Sequence, residues 1–347
     1  MSRSFTASPL PSDAARVRTG RPTRMAAALW VQGTGGGCFD IREFPVPRPG
    51  PGQVRVKLEG CGVSATDFAH WEKCRENPLA PSTPSTPGAP GCEAWGRIDT
   101  LGAGVENFEP GERVAILSSH GFAQYDVADA QSVVRLPESL EGKPFPAAPL
   151  GGAVNLFRRS GINKGDTVAV VGIGFLGALI TQLAALSEAT VIAIGRRPCS
   201  LEVAKRFGAS HTLAFDPLET PRAVRDLTHG ALCDIVIEAV GKPPALDLAA
   251  ELTRERGRMI VAGCHHTPRA VNLPLWNGRG LDIINAHEPS PVLCLEGMRE
   301  AVAAVDAGLM TPDPLYTHRF PLGRLSDALR LARERSEECM KVLIEID

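Results

Sequence analysis

The chain has 347 residues, 44% of them hydrophobic, which is enough for two packed domains of ordinary size. Its 37 basic residues against 39 acidic ones leave a formal net charge of −2, giving no electrostatic reason to expect nucleic acid or an anionic membrane as partner. No run of about 18 apolar residues is present, so a transmembrane helix is not expected, and a small molecule is the expected ligand.

Residues 1–24 carry five arginines against one aspartate, among Ser, Thr and Pro, and have no apolar stretch. They read as a disordered extension ahead of Met25 rather than as a transit peptide. From Met25 the pattern becomes short alternating segments, MAAALWV, CFDIREF and QVRVKLEG, punctuated by PRPGPG. Val54, Val56 and Leu58 fall on one face, as a half-buried strand requires. Further strand candidates, GRIDTLGAG, RVAILSS and FAQYDVA, extend a β-rich domain to about residue 150, interrupted by the Pro/Ser/Thr-rich PLAPSTPSTPGAPG.

Beyond Leu150 continuous apolar strands (DTVAVVG, TVIAIG, DIVIEAVG, RMIVAGC) alternate with helical segments (FLGALITQLAALS, SLEVAKRFG, LDLAAELT). That alternation predicts parallel βαβ units with helices on both faces of the sheet. The segments after about residue 290, GMREAVAAVDAG, SDALRLARERS and KVLIEI, are expected to return to the first domain. Nine scattered cysteines, none spaced C-x-x-C, suggest reduced thiols and a cytoplasmic protein rather than a disulfide framework.

VAVVGIGFLG places Gly172, Gly174 and Gly177, with Phe175 and Leu176 between them, directly after a strand and at the opening of a helix. Glycines there permit a tight turn and close approach of a pyrophosphate to the free N–H groups of the helix N-terminus. At the end of the next strand a carboxylate would accept bonds from the ribose hydroxyls of NAD, but this chain has Gly195, Arg196 and Arg197. Guanidinium groups bind a 2′-phosphate that a carboxylate would repel, so NADP(H) is the expected cofactor.

The pieces GQVRVKLEGCGVSATD, PGCEAWGRIDTLGAGVENFEPGERVA, GFAQYDVA, APLGGAVNLFRRSGINKGDTVAVVGIGFLG and DIVIEAVG, in this order, resemble the medium-chain dehydrogenase/reductases, in the branch of zinc-type alcohol, polyol and threonine dehydrogenases. The resemblance runs from Met25 to Asp347. It implies an α/β protein with a GroES-like β-rich catalytic domain, here residues 25–150 and 291–347, and a doubly wound parallel-sheet Rossmann domain at 151–290. It also implies an active site in the cleft between them and a homodimer or homotetramer assembled through the Rossmann sheets, with LDIINAHE as an edge segment.

Family members with catalytic zinc hold it with three residues, whose places here fall to Ser64, Cys92 and Ala148. Only Cys92 of these is a good ligand, whereas a catalytic zinc needs three protein ligands, so no zinc is expected. The four-cysteine structural lobe is also absent from the sequence. Without a Lewis acid, hydrogen-bond donors must polarise a carbonyl, or hydride must add to a conjugated enone whose enolate oxygen such donors stabilise.

In the family Thr66 matches the hydroxyl that relays a proton from substrate, and Asp67 matches a carboxylate behind the metal. Asp67 here either orients His70 or Cys92 or caps a helix. His70, with an ordinary value near 6.5, is a candidate proton donor. Ser64, Cys92, Glu93, Asn155 and Trp276 are candidate pocket residues; Cys264, His265 and His266 read as a loop. The expectation is a zinc-independent NADPH-dependent oxidoreductase acting on a small polar ketone or enone. The alternatives are a zinc-dependent alcohol or polyol dehydrogenase with an atypical metal site, and a non-catalytic NADPH-binding protein.

Overall fold

The computed structural model describes residues 22–30, 39–67, 86–334, 336 and 338–347. The N-terminal extension up to residue 21 and the candidate His70 lie outside the described residues.

The catalytic part is built on a seven-stranded sheet of order β14-β15-β3-β4-β5-β7, with β6 also paired to β3. Its strands are β3 (Gln53–Gly62), β4 (Ala94–Leu101), β5 (Arg113–Ile116), β6 (Tyr125–Asp129), β7 (Val133–Arg135), β14 (Tyr316–Pro321) and β15 (Lys341–Glu345). A separate antiparallel pair joins β1 (Arg24–Trp30) to β2 (Phe39–Pro45). Strand β3 organises this half. Val54, Val56 and Leu58 point into one core with Ile98, Val114 and Ile344, as their alternation predicts. Arg55 on the opposite face is buried too, because its Nε donates to Asp99 Oδ2 at 2.7 Å and its Nη1 to Pro47 O at 2.9 Å. The chain's last strand closes the sheet: β15 runs antiparallel to β3, pairing Ile344 with Cys61.

The second sheet is fully parallel, of order β10-β9-β8-β11-β12-β13. It comprises β8 (Thr167–Val171), β9 (Thr190–Gly195), β10 (His211–Ala214), β11 (Cys233–Glu238), β12 (Thr253–Val261) and β13 (Asp282–Asn285). Order reverses beside β8, the arrangement of a doubly wound nucleotide-binding sheet. Its apolar runs are explained by burial on both faces: Val168 and Val170 join one core layer while Ala169 and Val171 join the other. Covering helices are α2 (Phe175–Leu186), α3 (Pro198–Arg206), α4 (Glu219–Leu227), α5 (Pro243–Leu252) and α6 (Leu273–Arg279).

Two long helices lie where the chain passes between the sheets, α1 (Ala147–Ser160) and α7 (Pro291–Asp306), and they pack on each other; α8 (Leu325–Glu334) lies on β14 and β15. Pro291 at the first turn and the Ser290 hydroxyl, which accepts from Leu293 N, start α7. The α1–α7 contact is a meeting of backbones. A Cβ on Gly151 would lie 2.6 Å from Met298 N, and one on Gly297 would lie 2.7 Å from Gly151 O.

Asn155, one turn further along α1, donates from Nδ2 to Leu293 O at 2.9 Å and is buried against Gly297. A methyl group at position 151 must force the helices apart, since the obstruction is main chain. Gly151→Ala is therefore expected to cost about 1–3 kcal/mol, measured by urea denaturation; an unchanged midpoint would show that the helices yield freely.

Candidate active site

Strand β8 ends at Gly172, whose φ of 103° is a conformation that favours glycine. Its N–H donates to Ile194 O at 2.8 Å, tying the turn to β9. The chain then enters α2 with Gly174 as its extended first cap. A Cβ on Gly177 would overlap the carbonyl of Gly172, whereas one on Gly174 meets nothing within 4 Å. The turn is thus closed on its inner side and open on its outer side, where the unsatisfied N–H groups of the α2 N-terminus project. These residues fit a dinucleotide pyrophosphate. Phe175 and Leu176 are half-buried against the adjoining core.

At the end of β9, Gly195 is buried and Arg196 is exposed. Arg197 differs from the expectation of a matched basic pair. Its Nη1 donates to Ser336 O at 3.0 Å and to Cys339 O at 2.6 Å, so this group is engaged with the chain's own C-terminal segment.

On the catalytic side, β3 runs out into Val63 and Ser64, followed by a short helical turn through Thr66 and Asp67. Asp67 Oδ2 accepts from Ser64 N at 2.7 Å, and Ser64 Oγ accepts from Asp67 N at 3.3 Å, a reciprocal closure that fixes both side chains. The Ser64 and Thr66 hydroxyls are 3.0 Å apart. Cys92 Sγ donates to Ser64 Oγ at 3.7 Å. Ser64 and Asp67 are buried, Cys92 is half-buried, and Thr66 is exposed.

Among the described residues the buried carboxyl of Asp67 finds no hydrogen-bond partner for one oxygen, Oδ1. Burial raises its pKa to about 7; the Ser64 N–H bond opposes the shift and the nearby Glu93 charge reinforces it. Burial likewise pushes the Cys92 thiol up to about 12, with the Glu93 and Asp67 charges adding to the effect. Cys61, wholly buried beneath them, is raised well above its ordinary value, chiefly by burial.

Glu93 turns inward and forms a buried ion pair with Lys341, whose Nζ also donates to Val63 O at 3.0 Å. A Cβ on Gly62 would overlap the Glu93 carboxylate, so glycine is needed for the pair to form. The same ammonium sits 5.0 Å from the centre of the Phe175 ring, and Phe175 stacks on Tyr316 at 6.1 Å between centroids. Lys341 thus touches the cofactor turn as well as the catalytic strand. Nothing local in KVLIEI marks it, since a lysine opening an apolar strand ordinarily reads as a solvated end.

Glu238 is a second residue the sequence did not single out. It is fully buried at the end of β11, where Oε1 accepts from Val240 N and Gly241 N at 2.7 Å. Its Oε2 lies 3.0 Å from His265 Nε2, and His265 Nδ1 accepts from Arg269 Nε at 3.2 Å. That second bond places the ring proton on Nε2, facing Glu238. Trp276 is half-buried on α6 against the core of the parallel sheet.

The three positions expected to have lost zinc ligation do not fit that ion. Ala148 has no donor atom, and Ser64 offers only a hydroxyl, a poor zinc ligand, already engaged by Asp67 N and Cys92, so Cys92 alone is left of the three ligands a catalytic zinc needs. Asp67 and Glu93 are committed to Ser64 N and Lys341. Among the described residues no group of three or more His, Cys, Asp or Glu side chains converges on a metal position.

Comparison with known proteins agrees with this architecture. A family model for the alcohol dehydrogenase GroES-like domain matches residues 50–138, and one for the zinc-binding dehydrogenases matches residues 176–302. An alcohol dehydrogenase of Rhizobium meliloti is 32% identical over 276 residues, covering 68% of this chain and 76% of that protein. The chain belongs to the medium-chain dehydrogenase/reductase superfamily.

Within that superfamily it is also similar to a sorbitol dehydrogenase of Halalkalibacterium halodurans, 26% identical over 89% of this chain and 96% of the relative. Among solved structures, an alcohol dehydrogenase (RspB) of Escherichia coli CFT073 in complex with NADH is 26% identical with a TM-score of 0.80, covering 93% of this chain and all of that one. A zinc-binding dehydrogenase from Sinorhizobium meliloti bound to NADP has the same fold, at 24% identity and a TM-score of 0.78, over 93% of this chain and 100% of that one. The chain is therefore an oxidoreductase of the nicotinamide-dependent kind.

Two outcomes follow from this site. Asp67 has its folded value, about 7, above the ordinary 3.8, so the folded protein holds more protons than the unfolded chain between about pH 4 and 7 and loses stability as pH rises through that window. Asp67→Asn should flatten this loss, whose slope is bounded by about 1.4 kcal/mol per pH unit; urea midpoints running parallel for both proteins would show that Asp67 is not the titrating group. Lys341→Met should leave the Glu93 charge buried alone at a cost of about 3–5 kcal/mol. Adding Glu93→Gln should recover most of that loss in the same denaturation assay, and failure to do so would show that the two side chains act independently.

Proposed function

We propose that the protein is a zinc-independent NADPH-dependent reductase of a small polar ketone or conjugated enone. The observation that carries this reading is the polarity of the hydroxyl pair at the end of β3. A serine hydroxyl offers one proton and two lone pairs. At Ser64 both lone pairs are taken, by Asp67 N–H and by the Cys92 thiol, so its single proton is directed at Thr66 Oγ1. Thr66, the exposed member, is then left with its own O–H to donate toward the cleft.

The bound nicotinamide supplies the hydride. The chain's own part is to present Thr66 Oγ1–H to the substrate oxygen, where it stabilises developing negative charge and transfers a proton that the exposed Thr66 recovers from solvent, with Ser64 orienting Thr66. Buried hydrogen bonds from Asp67 and Cys92 keep Ser64 in that one orientation, and Glu93–Lys341 holds the strand end against the cofactor turn. Gly172, Gly174 and Gly177 would hold the pyrophosphate. Gly195 removes the carboxylate that would repel a 2′-phosphate, and the exposed Arg196 supplies the charge that attracts it. A polar substrate is supported by the likeness to sorbitol dehydrogenases.

A second copy of the chain as partner is supported by the open edge of β13, where Ile283 is exposed. Residence in the cytoplasm is supported by the scatter of the cysteines along the chain, none of them spaced C-x-x-C. Among the described residues no helix is long and apolar enough to cross a membrane.

The test combines metal analysis with two variants. Purified active protein should contain far less than one zinc per chain and keep its activity in chelator; stoichiometric zinc with chelator-sensitive turnover would overturn the proposal. Thr66→Val should lower kcat in a panel of ketones and enones by about 10²–10⁴-fold with the Kd for NADPH unchanged. Arg196→Asp should weaken NADPH at least about tenfold without weakening NADH; an unaltered NADPH affinity would remove the cofactor assignment.

A further inference from the structure

Arg196 and Arg197 are neighbours in sequence, yet the fold gives them different directions. Arg197 precedes Pro198, which disfavours helical backbone at the residue before it, and Arg197 is accordingly extended, with φ −101° and ψ 124°. Consecutive side chains on extended backbone diverge. Arg196 is left at the surface, while Arg197 is half-buried and crosses from the parallel sheet to the segment that leads into β15.

The bonds it makes there are specific. Nη1 donates to Ser336 O and to Cys339 O, and Nη2 lies 3.4 Å from Met340 Sδ. The far side of the same segment is held by Thr317, whose Oγ1 accepts from Met340 N at 3.0 Å and donates to Lys341 O at 3.2 Å. The next side chain along is Lys341, paired with Glu93 and poised over the ring of Phe175, the first residue of α2. One short stretch, residues 339–341, therefore links the end of β9 to an ammonium group beside the helix N-terminus that receives the pyrophosphate.

Resting on the cofactor reading above, we propose that Arg197 is a positioning residue: it latches the parallel sheet to the Cys339–Lys341 segment and so sets where the Lys341 ammonium stands, leaving discrimination of the 2′-phosphate to Arg196. The pyrophosphate is common to NADH and NADPH. Loosening the latch must therefore weaken both cofactors by a similar factor, whereas loss of a phosphate ligand weakens only NADPH.

The experiment compares Arg197→Ala, Arg197→Lys and Arg196→Ala in the full chain, using fluorescence titration with NADPH and with NADH, together with amide hydrogen exchange of the cofactor-free proteins. Arg197→Ala should raise both Kd values about tenfold, leave their ratio within about twofold, and speed exchange at the Met340 amide. Arg197→Lys, with one ammonium in place of the fork, should lie between the Ala variant and the wild type in all three readouts. Arg196→Ala should raise the NADPH value alone and leave exchange at Met340 unchanged.

A shift in the NADPH/NADH ratio of Arg197→Ala matching that of Arg196→Ala would overturn the proposal by making Arg197 a phosphate ligand. Unaltered affinities with unaltered exchange would overturn it by showing that no latch exists. If Arg197→Ala does not fold, the Lys variant carries the same comparison. Should Arg196→Ala leave the ratio untouched, the NADPH reading fails, while the exchange data and the parallel loss of both cofactors still decide the role of Arg197.

Discussion

The buried pair between Glu93 and Lys341 is the contact on which the two halves of the site converge. Both side chains are at least about nine-tenths removed from solvent, so each charge needs the other and the additional bond from Lys341 to Val63 O. Three features are fixed around it at once. Gly62 must lack a side chain to admit the carboxylate, Val63 is anchored just before Ser64, and Phe175 is met within the glycine turn. The pair also charges its surroundings, since the Glu93 carboxylate adds to the burial that raises the pKa values of Asp67 and Cys92. The polarity beside the strand end is thereby set by a carboxylate and an ammonium, with the Ser64, Thr66 and Cys92 groups next to them.

The hydroxyl array follows from that environment. In the proposed array the Cys92 thiol donates to Ser64 Oγ, which leaves the Ser64 proton for Thr66 Oγ1, 3.0 Å away. Were Cys92 a thiolate, the Ser64 proton would turn back to it and Thr66 would lose the donor that orients it. The chemistry proposed for the cleft thus depends on burial of a sulfur atom that touches no substrate.

Much of this architecture was legible in the chain, and the readable parts share a property: their constraints are local. The glycine turn reads from a handful of consecutive residues because close approach of Gly177 to Gly172 leaves no room for a side chain. The doubly wound sheet reads from apolar runs because its strands are buried on both faces. Ser64 in a ligand's place reads from its motif. Lys341 did not read, because its partner Val63 O is 278 residues away and no periodicity reports a pairing of that range. Arg197 was read as half of a phosphate clamp because sequence gives adjacency but not direction, and direction was set by Pro198 and by carbonyls more than a hundred residues downstream. Asn155 stood near the domain junction as expected, yet its side chain is spent on Leu293 O inside the helix contact.

The junction where α1 and α7 touch through Gly151 and Gly297 has a mechanical meaning. Side chains packed in grooves can slide by changing rotamer, but main chain resting on main chain has no such slack. Sliding of one helix along the other is opposed at this point, as two rods notched into each other resist being drawn lengthwise.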